Sequence, residues 1–128
     1  PVTSYCTVNG IPVKQFISAE RLAAICTRTA GGGGEIVKLM GTSAYYAPAS
    51  AAVAMAESYL LDQKRLLPAA VYCDGEYGIK DLYIGVPAII GSGGIEKVVE
   101  IVLTDEEKGM LGKSVAAVRE LVEVGAKL

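Results

Sequence analysis

Side chains that could do acid–base or metal chemistry are few in this sequence, and one type is missing altogether. There is no histidine. A Ser-His-Asp triad, a Cys-His pair and a histidine general base are therefore out of reach of this chain alone, as is a His-bearing zinc site. The three cysteines, Cys6, Cys26 and Cys73, are odd in number, widely spaced and without a CxxC. They cannot make a four-cysteine zinc site, and they read as buried free thiols in a reducing cytoplasm. Glu76 and Asp81 flank a loop with Tyr77 and Lys80. Paired carboxylates can do acid–base work, but a solvated loop with a turn-fixing aspartate is the simpler reading. Arg21, Arg28, Arg65 and Arg119 show no paired anion clamp. No catalytic residue and no metal ligand is assigned.

Three glycine clusters invite a phosphate-binding reading, because clustered backbone N–H groups ahead of a helix bind anions. Gly31–Gly34 precedes Glu35, but the dinucleotide fingerprint GxGxxG needs glycine where Ile36 stands, and a strand before it. A helix-to-helix connector is favoured. The cluster Gly91-Ser92-Gly93-Gly94 needs glycine at Glu96 and is followed by valine-rich residues, so it reads as a hairpin turn. Gly112-Lys113-Ser114 resembles the end of a P-loop, yet the motif's first glycine would fall at Glu107. The stretch lies inside an amphipathic helix.

The elements that must position anything else are organised around Gly41–Leu61. No charge occurs between Leu39 and Ala56, and alanine and serine dominate. Val53, Met55, Ala56, Tyr59 and Leu60 wrap too far round for a surface stripe, which predicts a mostly buried helix. Pro48 sits in its first turn or at a kink. A membrane span needs ~20 predominantly apolar residues, and this run holds Gly, Thr, Ser and Pro; no membrane association is expected.

Upstream, Val2, Ser4, Cys6 and Val8 alternate with Thr3, Tyr5 and Thr7 as in a strand. Asn9-Gly10 is a hairpin turn that returns through Ile11-Pro12-Val13. Ser18 is an N-cap with Glu20 in the first turn, and Leu22, Ile25 and Cys26 form a buried face. Gly31–Gly34 should end that helix, at a cost of about 1 kcal/mol per glycine relative to alanine. A short helix Glu35–Met40 should follow. Downstream, Leu66–Cys73, Leu82–Ile90 and Ile95–Leu103 read as three strands of an antiparallel meander. Thr104 with Glu107 is a capping box, and Met110, Leu111, Val115, Val118, Leu121 and Val122 recur at helical spacing up to Gly125. The fold class expected is α+β: an antiparallel sheet, made of an N-terminal hairpin plus a three-stranded meander, packed with long helices that include a C-terminal amphipathic one.

Bulk properties agree with one domain of 128 residues. An apolar fraction of 52 % against 20 % charged residues suggests surface covered by a partner or another domain. The net charge is −2 and basic residues are scattered, so nucleic acid is not an expected partner. Pro1–Asn9 lacks the basic start and apolar run of a signal peptide, which again suggests the cytoplasm.

The spelling of GGGGEIVKLMGTSAYYAPASAAVAMAES (residues 31–58) and RLLPAAVYCDGEYGIKDLYIGVPAIIGSGGIEKVVEIVLTDEE (residues 65–107) resembles the C-terminal domain of the lactate/malate dehydrogenase family. The resemblance covers essentially the whole chain. SAYYAPAS and GEYG are similar to the NAD-dependent bacterial malate dehydrogenases of lactate-dehydrogenase-like build. The resemblance implies that residues 1–128 are the substrate-binding domain of a two-domain enzyme. Its NAD-binding Rossmann domain, and its catalytic histidine, aspartate and substrate-holding arginines, would lie upstream of Pro1. It implies that Ser43 and Ala44 line the substrate pocket and that Pro48 packs beside the nicotinamide ring. It also implies malate and oxaloacetate as substrates, a homodimer or homotetramer, and an inert isolated fragment. A lactate dehydrogenase domain, or a stand-alone interaction module without catalysis, is the alternative. Lactate-type members tend to carry threonine near Ala44, and the smaller alanine leaves room for a dicarboxylate.

Overall fold

The computed structural model describes residues 1–127 and has the element order β1–β2–α1–α2–β3–β4–β5–α3, with three short 3-10 turns. It is α+β, with three helices and two antiparallel sheets of two and three strands. Two compact units are present, Pro1–Ser50 and Ala51–Leu128.

In the first unit the Asn9-Gly10 turn forms as its sequence requires. Both residues take positive φ, 49° and 83°, and join β1 (Thr7–Val8) to β2 (Ile11–Pro12). The longer strand expected from Val2 does not form. Thr3–Tyr5 is a 3-10 turn, closed by the Cys6 N–H donating to the Thr3 carbonyl at 3.2 Å.

Helix α1 spans Ala19–Met40 and corrects the expected break at Gly31–Gly34. Ser18 is the N-cap, accepting from the Arg21 N–H at 3.3 Å. Gly41, at φ 69°, closes the C-terminus by donating to the Val37 carbonyl. The four glycines lie between two good helix-forming stretches and contain no proline, so the ladder propagates across them. Arg28 and Glu35 clamp the tract on one face with two hydrogen bonds, 3.1 and 2.8 Å. That pair is exposed and screened by solvent, so it is a weak clamp. The expected buried face is only half-covered: Leu22 and Cys26 are half-buried and Ile25 is exposed.

Helix α2 spans Tyr46–Leu60, shorter than the apolar run that predicts it. Pro48 stands in its first turn, where the missing N–H would have no helical partner anyway. The expectation of burial fails within this chain. Ser58 is its buried residue, while Val53, Tyr59 and Leu60 are 56, 49 and 75 % exposed.

The second unit is built on the meander β3 (Arg65–Asp74), β4 (Lys80–Gly91) and β5 (Gly94–Val98). Its core is Val71, Cys73, Ile79, Leu82, Ile84, Val86 and Ala88, against which Leu111, Val115 and Val118 of α3 (Asp105–Gly125) pack. Strand β5 is shorter than Ile95–Leu103, and the reason is Tyr77. Its hydroxyl donates to the Val99 carbonyl and accepts from the Ile101 N–H, both at 2.9 Å. Those groups are thereby diverted from ladder pairing. Helix α3 begins with the expected box: Thr104 Oγ1 accepts from the Glu107 N–H, and the Glu107 carboxylate accepts from the Thr104 N–H.

Candidate functional site

The sequence motif with apparent carboxylate chemistry resolves into a structural corner. Gly75, Tyr77 and Gly78 all take positive φ, so the chain folds back on itself between β3 and β4. The Glu76 carboxylate accepts from the Asp74 N–H at 2.8 Å. Its own backbone N–H and that of Asp74 hold its pKa below the ordinary carboxylate value. Asp81 accepts from the Tyr72 hydroxyl at 2.8 Å, and this raises the tyrosine pKa. The Tyr77 N–H donates to Glu100 at 2.6 Å. Each carboxylate thus has a backbone or phenol partner, and the pair does not converge on a common point. Turn fixing, not proton transfer, is the role of this loop.

A second polar cluster ties α2 to the sheet. Buried Ser58 donates to the Ile90 carbonyl at 2.6 Å and accepts from the Arg65 N–H at 3.1 Å. Asp62 accepts from the Ser92 N–H at 2.8 Å, which holds its carboxyl below the usual range. Lys64 bridges to Glu96 at 3.1 Å. A Cβ at Gly91 would collide with the Glu96 carboxylate and lie 2.8 Å from Asp62. The hairpin reading of Gly91–Gly94 is therefore correct, with Gly91 opposite Gly94. Neither Ser58 nor Asp62 is singled out by sequence; a serine in an alanine-rich helix, one of two in α2, carries no signal of its tertiary partner.

Cysteine burial is graded rather than uniform. Cys73 is buried, Cys26 half-buried and Cys6 exposed, so the expectation of three buried thiols is corrected for Cys6. Burial raises the Cys73 thiol pKa. No group of three or more metal-ligating side chains occurs among the described residues. No helix among them is long and apolar enough to cross a membrane.

What remains is the segment between α1 and α2. Ser43 is exposed, Ala44 half-buried and Pro48 exposed on the first turn of α2. All three lie in the first unit. Tyr45 and Tyr46 stack with ring centroids 4.8 Å apart. The Ala49 N–H donates to the Tyr45 carbonyl at 3.0 Å and starts the helical ladder. Residues 41–48 contain no carboxylate, imidazole or amine. They offer small side chains, the four hydroxyls of Thr42, Ser43, Tyr45 and Tyr46, and an apolar edge, which suits lining a pocket.

The family model for the lactate/malate dehydrogenase alpha/beta C-terminal domain matches residues 1–128. This chain belongs to the lactate/malate dehydrogenase family. It is 64 % identical over 124 residues to a malate dehydrogenase of Sorangium cellulosum, covering 97 % of this chain and 40 % of that protein. It is 52 % identical to one of Thermomicrobium roseum, covering all of this chain and 41 % of the relative. The malate dehydrogenase structure from Salinibacter ruber superposes with a TM-score of 0.97 at 52 % identity, over 100 % of this chain and 42 % of that one. A lactate dehydrogenase from Eimeria maxima, solved with NADH and oxamate, gives 0.95 at 44 % identity over 99 and 41 % of the two chains. The chain therefore spans about two-fifths of the length of these dehydrogenase relatives.

Proposed function

We propose that this chain is the substrate-binding part of an NAD-dependent malate dehydrogenase, which interconverts malate and oxaloacetate. The observation that carries this reading is the whole-chain kinship to malate dehydrogenases, joined to a chain that holds no histidine. The segment around Ser43 and Ala44 supplies the shape and hydrogen bonding of a pocket wall. The acid–base group, the aspartate that orients it and the carboxylate-binding arginines then belong to the part of the relatives outside these residues. Exposed Pro48 presents an apolar edge suited to the flat face of a nicotinamide ring. NAD, when bound, supplies the hydride acceptor or donor for the carbon that carries the hydroxyl. A Rossmann domain is the partner of this chain in the reaction, and the complete enzyme works in the cytoplasm as a homodimer or homotetramer.

The fold itself does not separate malate from lactate. The lactate dehydrogenase of Eimeria maxima and a malate dehydrogenase of Cryptosporidium parvum share the same 44 % identity with this chain, each with a TM-score of 0.95. Ala44 favours the dicarboxylate, because its small side chain leaves volume in the wall. In the longer enzyme containing this chain, NADH oxidation should be faster per KM with oxaloacetate than with pyruvate. Ala44→Thr should shift that ratio toward pyruvate by roughly tenfold, the scale of one methyl-sized change in a pocket. A parent enzyme that prefers pyruvate overturns the malate reading and leaves the family intact.

A further inference from the structure

Strand β4 is the middle strand of the meander, and it carries Pro87 where a middle strand needs a donor. Ala88 stands opposite Val98, so Pro87 falls opposite Val99. Residues opposed in this way exchange two bonds. One of them is made: the Val99 N–H donates to the Pro87 carbonyl at 2.8 Å. The other would run from the N–H of residue 87 to the Val99 carbonyl, and proline has no N–H.

Tyr77 supplies the missing donor. Its hydroxyl donates to the Val99 carbonyl and accepts from the Ile101 N–H, both at 2.9 Å. Its backbone N–H donates to the Glu100 carboxylate at 2.6 Å. One tyrosine thus fastens three successive residues, in a stretch (99–104) that is neither helix nor strand. Tyr77 itself is held at φ 53°, in the left-handed region that a bulky residue keeps only when its surroundings impose it. Beyond the fastening, Ile101 and Leu103 form one wall of an apolar cleft of about 510 Å³, and Leu111 and Val115 of α3 form another. Helix α3 also packs directly on the core of the sheet, so its docking does not depend on the stretch between.

We infer that residues 99–103 are a strap that lifts from the sheet as a separate unit, with Tyr77 as its clasp and Pro87 as the reason a clasp is needed. Release breaks the bonds at one tyrosine, frees that tyrosine from its left-handed conformation, and opens the cleft against α3 while β3 and β4 stay paired. No residue of strap or clasp belongs to the proposed pocket wall, so the inference stands apart from the catalytic reading. The test is amide hydrogen exchange of the 128-residue chain, followed residue by residue by NMR at low urea concentrations. Val99 and Ile101 should exchange through an opening that urea barely promotes, while exchange at Ile84 and Val86 should rise steeply with urea, as global unfolding does. Tyr77→Phe keeps the ring and removes the hydroxyl. It should accelerate Val99 and Ile101 about tenfold, the scale of one lost hydrogen bond, and leave Ile84 and Val86 within about twofold of the parent. Adding Pro87→Ala gives residue 87 an N–H at ladder distance from the Val99 carbonyl. Exchange at Val99 should then return to the parent rate, while Ile101, still without the hydroxyl, stays fast. The inference is overturned by a parent in which Val99 and Ile101 exchange only with the core. It is equally overturned if Tyr77→Phe leaves Val99 unchanged or accelerates core and strap alike, or if the double variant leaves Val99 fast.

Discussion

Buried Ser58 is the residue on which the second unit turns. Its hydroxyl satisfies both the Ile90 carbonyl and the Arg65 N–H, so a helix, an incoming strand and an outgoing strand meet at one oxygen. Ser58→Ala strands both backbone groups away from water. It should lower unfolding free energy by about 1–3 kcal/mol, read as an earlier urea midpoint at unchanged slope. Asp62 acts through charge instead. Its folded pKa is depressed by the Ser92 N–H and by nearby Lys64, so its contribution is present above the unfolded carboxylate value near pH 4 and fades as pH falls through the folded value. Asp62→Asn should flatten the acid limb of the stability-versus-pH curve and leave its form above about pH 6 unchanged. An equally steep acid limb in the variant would mean that other depressed carboxylates, Glu20, Glu35 and Glu76, carry the effect.

At the scale of elements, what the sequence discloses depends on whether the signal is local. The Asn9-Gly10 turn, the Ser18 cap, the three-stranded meander and the Thr104 box are written in neighbouring residues, and all form. Thr104→Ala should cost about 1 kcal/mol, measured as a lowered Tm with partial loss of helix signal. The misread boundaries have non-local causes. Strand β5 stops at Val98 because a hydroxyl more than twenty residues upstream takes the next backbone groups. Helix α1 runs through four glycines because propensity is a weak prior beside two flanking helical stretches. The breadth of the apolar surface of α2 predicts a helix buried on more than one side. Among the described residues that burial is not met, and Val53, Tyr59 and Leu60 stay open.

For the molecule as a whole, composition carries the functional argument further than any motif. The chain has no histidine, the residue type to which the proposed reaction assigns proton transfer. The candidate pocket wall, Ser43 and Ala44 with Pro48 on the adjoining helical turn, was legible only through the spelling SAYYAPAS. Nothing in the residue types of that stretch announces a ligand; small and apolar side chains serve a wall and a core equally well. The dehydrogenase relatives are about two and a half times as long as this chain.

The decisive measurement is therefore reconstitution. The 128-residue chain is assayed for NADH oxidation with oxaloacetate alone, and again after co-refolding with the part of a malate dehydrogenase relative that lies outside its match to this chain. No turnover by the chain alone, and turnover above background when the two are combined, is the predicted result. Turnover by the 128-residue chain on its own would contradict the account, because the account places the acid–base histidine outside these residues.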